Sequence, residues 1–453
     1  MSFDDWPIAE HDAARSGVSN EVAGTPGPLT LNKLWQTSSG DIADTSPVEW
    51  NGMIFLTTHG GTTYGISAAS GQKVWTFTTS GSGGITTSEP AYDTSANELY
   101  AGGIDGKIHR LNPMTGVEDT SHGFPVTIIL ATHTEKDASP LNVANGYVYA
   151  QTSGYNGDGQ PYVGHVVAIN TTTGALHVFN SLCASQTTVI DPATCNQSDS
   201  GLWSRAGPAV DPDSQMGGAV FSATGNGYYD PASGDYGDSI LELKPDMSSL
   251  IGYYAPSDAL QLQQGDEDLG STSPALIPRQ TTSNTPLMAV QGGKDRILRL
   301  VNRASLTGSS PLQTIQLNYL VYSAPAVYQT SSGAIYVYVG LPDGMYAYTL
   351  TTIGGTSQLT QVWKTTLSLN QGTSAAVRAG VVYVAANNEL VALNATTGAT
   401  LGSATIGGIH WESPMIARGV VYVTDENRNL TAFQIVPAMN GQSRVRALPT
   451  THR

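Results

Sequence analysis

The sequence predicts an all-β protein, an eight-bladed β-propeller of four-stranded blades whose ring is closed by the N-terminal strand. Three observations carry that expectation: a phrase that recurs eight times, tight-turn dipeptides at fixed places within it, and a composition poor in charge and rich in Gly, Thr and Ser. Long surface helices need more charge than this chain has, whereas short strands joined by tight turns do not.

The phrase is a Ser/Ala-Pro step, a short apolar stretch, a turn, an apolar strand, a Gly-rich turn, and a strand ending near Leu-Asn and Thr-Gly. Its anchors are Pro47, Pro90, Pro140, Pro208, Pro274, Pro325, Ala375 standing in place of Pro, and Pro414. They lie about 50 residues apart, near the period of four-stranded blades. The clearest copies are IFLTTHGGTTYGISAASGQKVW from Ile54, GGIDGKIHRLN from Gly102, VYVAANNELVALNATTGATL from Val382 and VYVTDENRNLTAF from Val421. Strands such as Val382-Tyr383-Val384 are apolar without alternation, as suits a sheet covered on both faces by its neighbours. The units must therefore stack, and residues 1–453 read as a single domain, with 434–453 as a C-terminal tail.

Asn51-Gly52 and Asn145-Gly146 supply the positive-φ residues of tight hairpins, and Asp105-Gly106 and Asp343-Gly344 do so one hairpin later. The units at Pro140, Pro208 and Pro274 are the longest. Polar additions at 155–162 and 228–237 fall within them, and such insertions tend to decorate a binding face. Leu34-Trp35 reads as an outer strand that precedes any blade of its own, while the last unit ends at Phe433 without a Trp strand. Pairing the two ends completes the last blade and leaves no open edge.

A net charge of −16 with only 20 Lys plus Arg leaves no basic stripe to neutralise a phosphate backbone, so nucleic acid is not an expected partner. A small polar molecule or a protein is. No apolar run approaches the roughly 18–20 residues of a membrane span. Cys183 and Cys195 sit in a polar insertion, where a local disulfide suits an oxidising compartment. The expected location is secreted or periplasmic, although Met1-Ser2-Phe3-Asp4 shows no signal peptide in this chain. Asn-x-Ser/Thr sequons stand at Asn170, Asn196, Asn394 and Asn429, two of them inside repeat turns.

The opening Trp6-Pro7, His11-Asp12 and Arg15-Ser16-Gly17, followed by Leu31-Asn32-Lys33-Leu34-Trp35, resembles the start of the pyrroloquinoline-quinone-dependent alcohol dehydrogenase family, and the likeness spans nearly the whole chain. Ala223-Thr224-Gly225-Asn226-Gly227 is similar to that family's Thr-Gly-Asn, which implies Asn226 as a metal ligand. Asp266-Glu267-Asp268 resembles its Asp-x-Asp, which implies Asp266 as catalytic base and Asp268 as a ligand to a larger cation. Lys294, in MAVQGGKDRILRLVNRASLTG from Met288, matches a cation that reaches the quinone carbonyl, a catalytic and cofactor-binding role. Trp203 matches the residue that stacks beneath the cofactor plane. The resemblance thus implies pyrroloquinoline quinone with Ca²⁺ or another hard cation, whereas a non-catalytic member would hold neither.

The chemistry asks for these residue types. A hard cation takes oxygen ligands and polarises a carbonyl, a carboxylate removes the alcohol proton, and an ammonium stabilises developing negative charge. The chain departs from the family in three respects: its cysteines are not adjacent, no metal-binding Glu stands near Tyr162-Val163-Gly164-His165-Val166, where Asp158 is the nearest carboxylate, and it has no Cys-x-x-Cys-His. Read without the resemblance, Asn226 suits a tight turn, Asp266 and Asp268 a solvated loop, and Lys294 the surface.

Asp44, Asp137, Arg205, Tyr322, His410 and Glu412 each lie just before a Ser/Ala-Pro step, where an inner strand begins. Such positions line the central funnel of a propeller, as ligand contacts or as polar groups holding water. His59 and His133 are candidates for a lyase-like or hydrolase-like site. The expected function is oxidation of an alcohol or polyol, with Asn226, Asp266 or Asp268, and Lys294 converging over a Trp203 floor. The alternative is a non-catalytic extracytoplasmic propeller acting as a ligand-binding or assembly scaffold.

Overall fold

The computed structural model describes residues 4–21, 26–155, 159–308 and 310–438. Their strands form eight antiparallel blades arranged as a propeller, here numbered in chain order from the sheet that begins at Val48. Blade 1 runs Val48–Trp50, Met53–Thr57, Thr62–Ser67 and Lys73–Thr78 from the axis outward, and the others repeat that plan. The eighth blade is closed as expected. Leu29–Ser38 pairs antiparallel with Asn429–Pro437, Trp35 standing opposite Ala432. The last strand runs on past Phe433 to Pro437; Asp158 lies outside the described residues.

The recurring Trp and Thr-Gly have a shared cause. The outer-strand Trp of one blade lies over the glycine turn of the next and donates its indole N–H there: Trp35 to Ala68 O at 2.9 Å, Trp75 to Pro113 O at 2.8 Å, Trp363 to Ala395 O at 3.0 Å. At Gly116, φ is +68° and a Cβ would sit 2.4 Å from the Trp75 ring, so only glycine serves. Buried clusters accordingly span blade boundaries. Tyr338 and Met345 of blade 6 pack with Val377, Val382 and Val391 of blade 7, and this two-sided burial is why the strands do not alternate.

The segment 4–19 has a role that its motifs did not announce. It crosses one end of the central channel and caps the inner strands in turn. Glu49 pairs with Trp6, and Tyr92 N–H donates to Pro7 O, Val210 to Ala13 O, Val327 to Ser16 O, Val377 to Gly17 O and Arg418 to Asp4 O. The buried Arg15 guanidinium donates to the carbonyls of Ala9, Pro140, Leu141 and Pro208. Backbone groups on the inner edges thus find partners without a ninth blade. These contacts fall within the inner strands, past the steps that lead into them, and the end of the channel where those strands begin is left to form a cavity.

Cys183 and Cys195 are disulfide-bonded, and the bridge packs beside Val163, Leu182 and Ile190. Among the described residues no helix is long and apolar enough to cross a membrane.

Candidate functional site

At the open end, the cavity of about 250 Å³ is lined by Trp203, Arg205, Asn226, Asp266, Asp268 and Lys294, with Tyr322 and Trp411 on its wall. Each side chain is placed by a local device. The Thr224-Gly225-Asn226 turn is clamped from both sides: Gly225 N–H donates to Gly201 O at 2.8 Å, Asp238 N–H donates to Gly225 O at 3.0 Å, and Ser200 N–H donates to Asn226 O. A Cβ at Gly225 would meet Gly201 O at 3.1 Å and Trp203 Nε1 at 3.2 Å, so the glycine lets this turn approach the floor. Asn226 Nδ2 donates to Asp266 Oδ1 at 2.8 Å, and Asn226 Oδ1 is buried with no hydrogen-bond partner among the described residues.

Asp266 ends the short helix Ala259–Gly265 in a left-handed conformation, φ 52°, which turns the chain so that Asp268 enters the cavity wall two residues later. Lys294 N–H donates to Asp268 O at 2.8 Å, and its ammonium lies 2.8 Å from Asp268 Oδ2, in contact with Asp266 and 5.4 Å from the Trp203 ring centroid. Burial pulls the Lys294 ammonium down, but the charges of Asp268 and Asp266 outweigh it and hold the group above its usual range. Trp203, Tyr322 and Trp411 follow one another with centroids 5.9 and 6.3 Å apart, and the Arg205 guanidinium sits 3.7 Å over the Trp411 ring.

The structure thus brings together Asn226, Asp266, Asp268, Lys294 and Trp203, and adds Arg205 and Tyr322 from the channel candidates. It does not bring in Asp137. Lys136 and Ala138 line the cavity, and Asp137 between them faces the other way, where its carboxylate fills the space a Cβ on Gly102 would take and burial pushes it up to about 7. An extended segment sends alternate side chains to opposite faces, so a position read one residue out of phase selects the wrong one. Asp44, His410 and Glu412 also stand outside the cavity lining, grouped with His59 beyond Arg205. His133 is exposed and does not line the cavity.

Two residues escaped sequence reasoning. Lys136 is pulled down to about 8, first by burial and then by the charge of Arg205, and its one signal was its place beside a pre-strand position. Asp238, fully buried behind the turn, is pushed up to about 8 by burial and then by the charge of Asp268; nothing in its local sequence marks it. The cavity therefore offers an aromatic wall, three cationic side chains and an oxygen-rich corner, a set that suits a flat, anionic, polar molecule together with a hard cation.

A family model described as outer membrane protein assembly factor BamB matches residues 32–194 and 352–438. No curated protein matches the chain in sequence. Among solved structures, quinohemoprotein alcohol dehydrogenase from Comamonas testosteroni is similar at 16% identity and TM-score 0.64, over 99% of this chain and 82% of that one. A europium-containing methanol dehydrogenase is similar at 14% identity and TM-score 0.65, over 93% and 89%. BamB from Moraxella catarrhalis is similar at 12% identity and TM-score 0.55, over 89% and 99%. At such identities the likeness is one of fold.

Proposed function

This chain belongs to the PQQ-like propeller family whose model is described as outer membrane protein assembly factor BamB, and from that premise we propose that it is a quinoprotein-type oxidoreductase acting on an alcohol or polyol. The observation that carries the reading is the meeting of Asn226, Asp266, Asp268 and Lys294 at one cavity beside Trp203, with the buried Asn226 Oδ1 left without a hydrogen-bond partner among the described residues. A carbonyl oxygen buried in that state is costly unless something binds it, and a hard cation is the ligand its chemistry invites.

In this reading Asn226 and Asp268 hold the cation, and Trp203, Tyr322, Lys136 and Arg205 hold pyrroloquinoline quinone by ring contact and charge. Bound there, the quinone supplies a hydride acceptor. Asp266, the more exposed of the two carboxylates, takes the hydroxyl proton as the alcohol carbon gives up its hydride. Lys294 keeps its proton throughout, bridging Asp266 to Asp268 and presenting positive charge where an oxygen becomes anionic. The Cys183–Cys195 bond supports a secreted or periplasmic location.

A second reading, a non-catalytic extracytoplasmic scaffold for a small polar molecule or a protein, is favoured by one observation. Lys294 pairs with both Asp266 and Asp268, so an ammonium already stands where a bound cation would balance their charge. Titration with pyrroloquinoline quinone plus Ca²⁺ or a lanthanide separates the two readings. The oxidoreductase reading expects a rise in melting temperature, quenching of indole fluorescence and dye-linked oxidation of alcohols. No thermal shift at saturating ligand and no dye reduction would leave the scaffold standing.

A further inference from the structure

A second group of metal-ligating side chains lies where the two ends of the ring meet. Asp44 comes from the approach to blade 1, His59 from the turn after Met53–Thr57, His410 and Glu412 from the approach to blade 8, and Glu426 from the turn after Val420–Asp425. Ring closure alone makes them neighbours. One ligand atom each from Asp44, His410 and Glu426 lies within 4.8 Å of the other two. The Asp44 carboxylate faces an imidazole with each oxygen, Oδ2 at 3.1 Å from His59 Nε2 and Oδ1 at 3.5 Å from His410 Nδ1.

The His59 contact pairs one oxygen of Asp44, but several atoms of the group are left without a hydrogen bond of good geometry. Asp44 is 6% exposed, yet its Oδ1 has no hydrogen-bond partner among the described residues, and the same holds for His59 Nε2 and Glu426 Oε1. Glu412 is fully buried; its Oε2 accepts the backbone N–H groups of His410 and Trp411 at 2.7 and 3.0 Å, while Oε1 has no hydrogen-bond partner among the described residues. Buried polar atoms in native proteins are paired as a rule. Asp44 Oδ1 and Glu426 Oε1, beside the His410 imidazole, are the ones that a single ion between these three side chains would satisfy.

We propose that Asp44, His410 and Glu426 bind a divalent transition-metal ion, with His59 holding the second oxygen of Asp44. Donors on an ion such as Zn²⁺, at about 2.0–2.2 Å from it, stand roughly 3.3–3.6 Å apart, so side-chain rotation of about an ångström brings these three onto one centre. Imidazole with carboxylate selects Zn²⁺, Mn²⁺ or Fe²⁺ over Ca²⁺, which takes oxygen ligands. His59 on the far oxygen of Asp44 orients that ligand from behind, as an outer partner does in metal sites. The side chains of His410 and His59 are 33% and 18% exposed, so an ion reaches the site from solvent.

The site is distinct from the Asn226 corner, and its test does not depend on the quinone. Protein stripped with a chelator and dialysed is titrated with Zn²⁺ by calorimetry, and then with Co²⁺ while visible absorption is followed. The expected result is one tight Zn²⁺ per chain that excess Ca²⁺ does not displace, with Co²⁺ bands in the range of nitrogen and oxygen ligation. His410→Ala and Glu426→Gln should each weaken Zn²⁺ by more than about 100-fold, beyond what loss of an outer partner costs. His133→Ala, which removes an exposed imidazole elsewhere, should leave the affinity unchanged. Glu426 lies in a partly exposed turn, so its variant is expected to keep the parent's circular dichroism. Absence of a tight Zn²⁺ equivalent in the parent protein, or undiminished binding in both cluster variants, would overturn the proposal.

Discussion

Replacing Lys294 by Ala tests how the cavity balances its charge. Asp268 is 2% exposed and its Oδ2 lies 2.8 Å from the ammonium, and stripping the partner from a buried carboxylate costs about 3–5 kcal/mol. Asp266 has a side chain that is 67% exposed, so its contact adds at most ~1 kcal/mol. At ~2.1 cal/mol/K per residue, a chain of 453 residues unfolds with an entropy of roughly 0.95 kcal/mol/K, which turns that loss into a fall of about 3–5 °C in Tm. Calcium supplies the second half of the test. Without the lysine, Asn226 Oδ1, Asp266 and Asp268 form an oxygen cluster that has lost its ammonium, and Ca²⁺ at about 100 times its Kd returns ~2.7 kcal/mol, or ~3 °C. Scanning fluorimetry in EGTA and then in Ca²⁺ should show the variant melting early and recovering most of the deficit, with the parent moving less. Lys294→Met, which keeps the stem beside Trp203, separates charge from packing. A fall below about 1 °C, or equal Ca²⁺ shifts in parent and variants, refutes the charge-balance argument.

Trp75→Ala removes a buried ring and its 2.8 Å bond to Pro113 O between blades 1 and 2; a loss of about 3–5 kcal/mol should lower Tm by ~3–5 °C, and an unchanged melt would deny the docking role. Unfolded but unreduced protein should show no free thiols, and the double change of Cys183 and Cys195 to Ser should cost about 2–3 kcal/mol for a loop of this length. Stability should also fall from mild acid toward alkali. Burial pushes Glu10 and Glu135 up to about 8 and Asp137 to about 7, so between their ordinary values and those pH values the folded chain binds more protons than the unfolded one and loses stability as pH rises. His11, which burial lowers but Asp12 and Asp4 raise to about 9, contributes stability that is present below roughly pH 6.5 and lost as pH climbs through 9. Thermal melts should therefore peak near pH 5 and decline by pH 8.5, and a Tm that climbs over that interval would contradict the burial of these carboxyls.

Of the site, the sequence made Asn226, Asp266, Asp268, Lys294 and Trp203 legible, because family-like motifs sit at the same end of neighbouring blades and radial repetition brings such ends together. Asp137 was misread because side-chain direction in an extended segment reverses with each residue, and a pattern matched to within one position cannot choose between Asp137 and Lys136. Asp238 was invisible because its importance lies in what burial places beside it, the charge of Asp268, and no local motif encodes a neighbour from another loop.

The fold itself was determined by the sequence alone. Each blade repeats the same weak local signals, and eight concordant anchors leading into two-sided apolar strands, reinforced in several blades by an outer-strand Trp or a Thr-Gly turn, leave little freedom; the unmatched Leu34-Trp35 strand then dictated the closure. Only the tertiary structure decided what fills the axis. That segment 4–19 caps the inner strands, and that Asp44 and His59 face His410 and Glu426 from the opposite end of the chain, follow from closing the ring. Contacts across hundreds of residues depend on the summed rotation of every blade between them, a quantity that no single stretch of sequence contains.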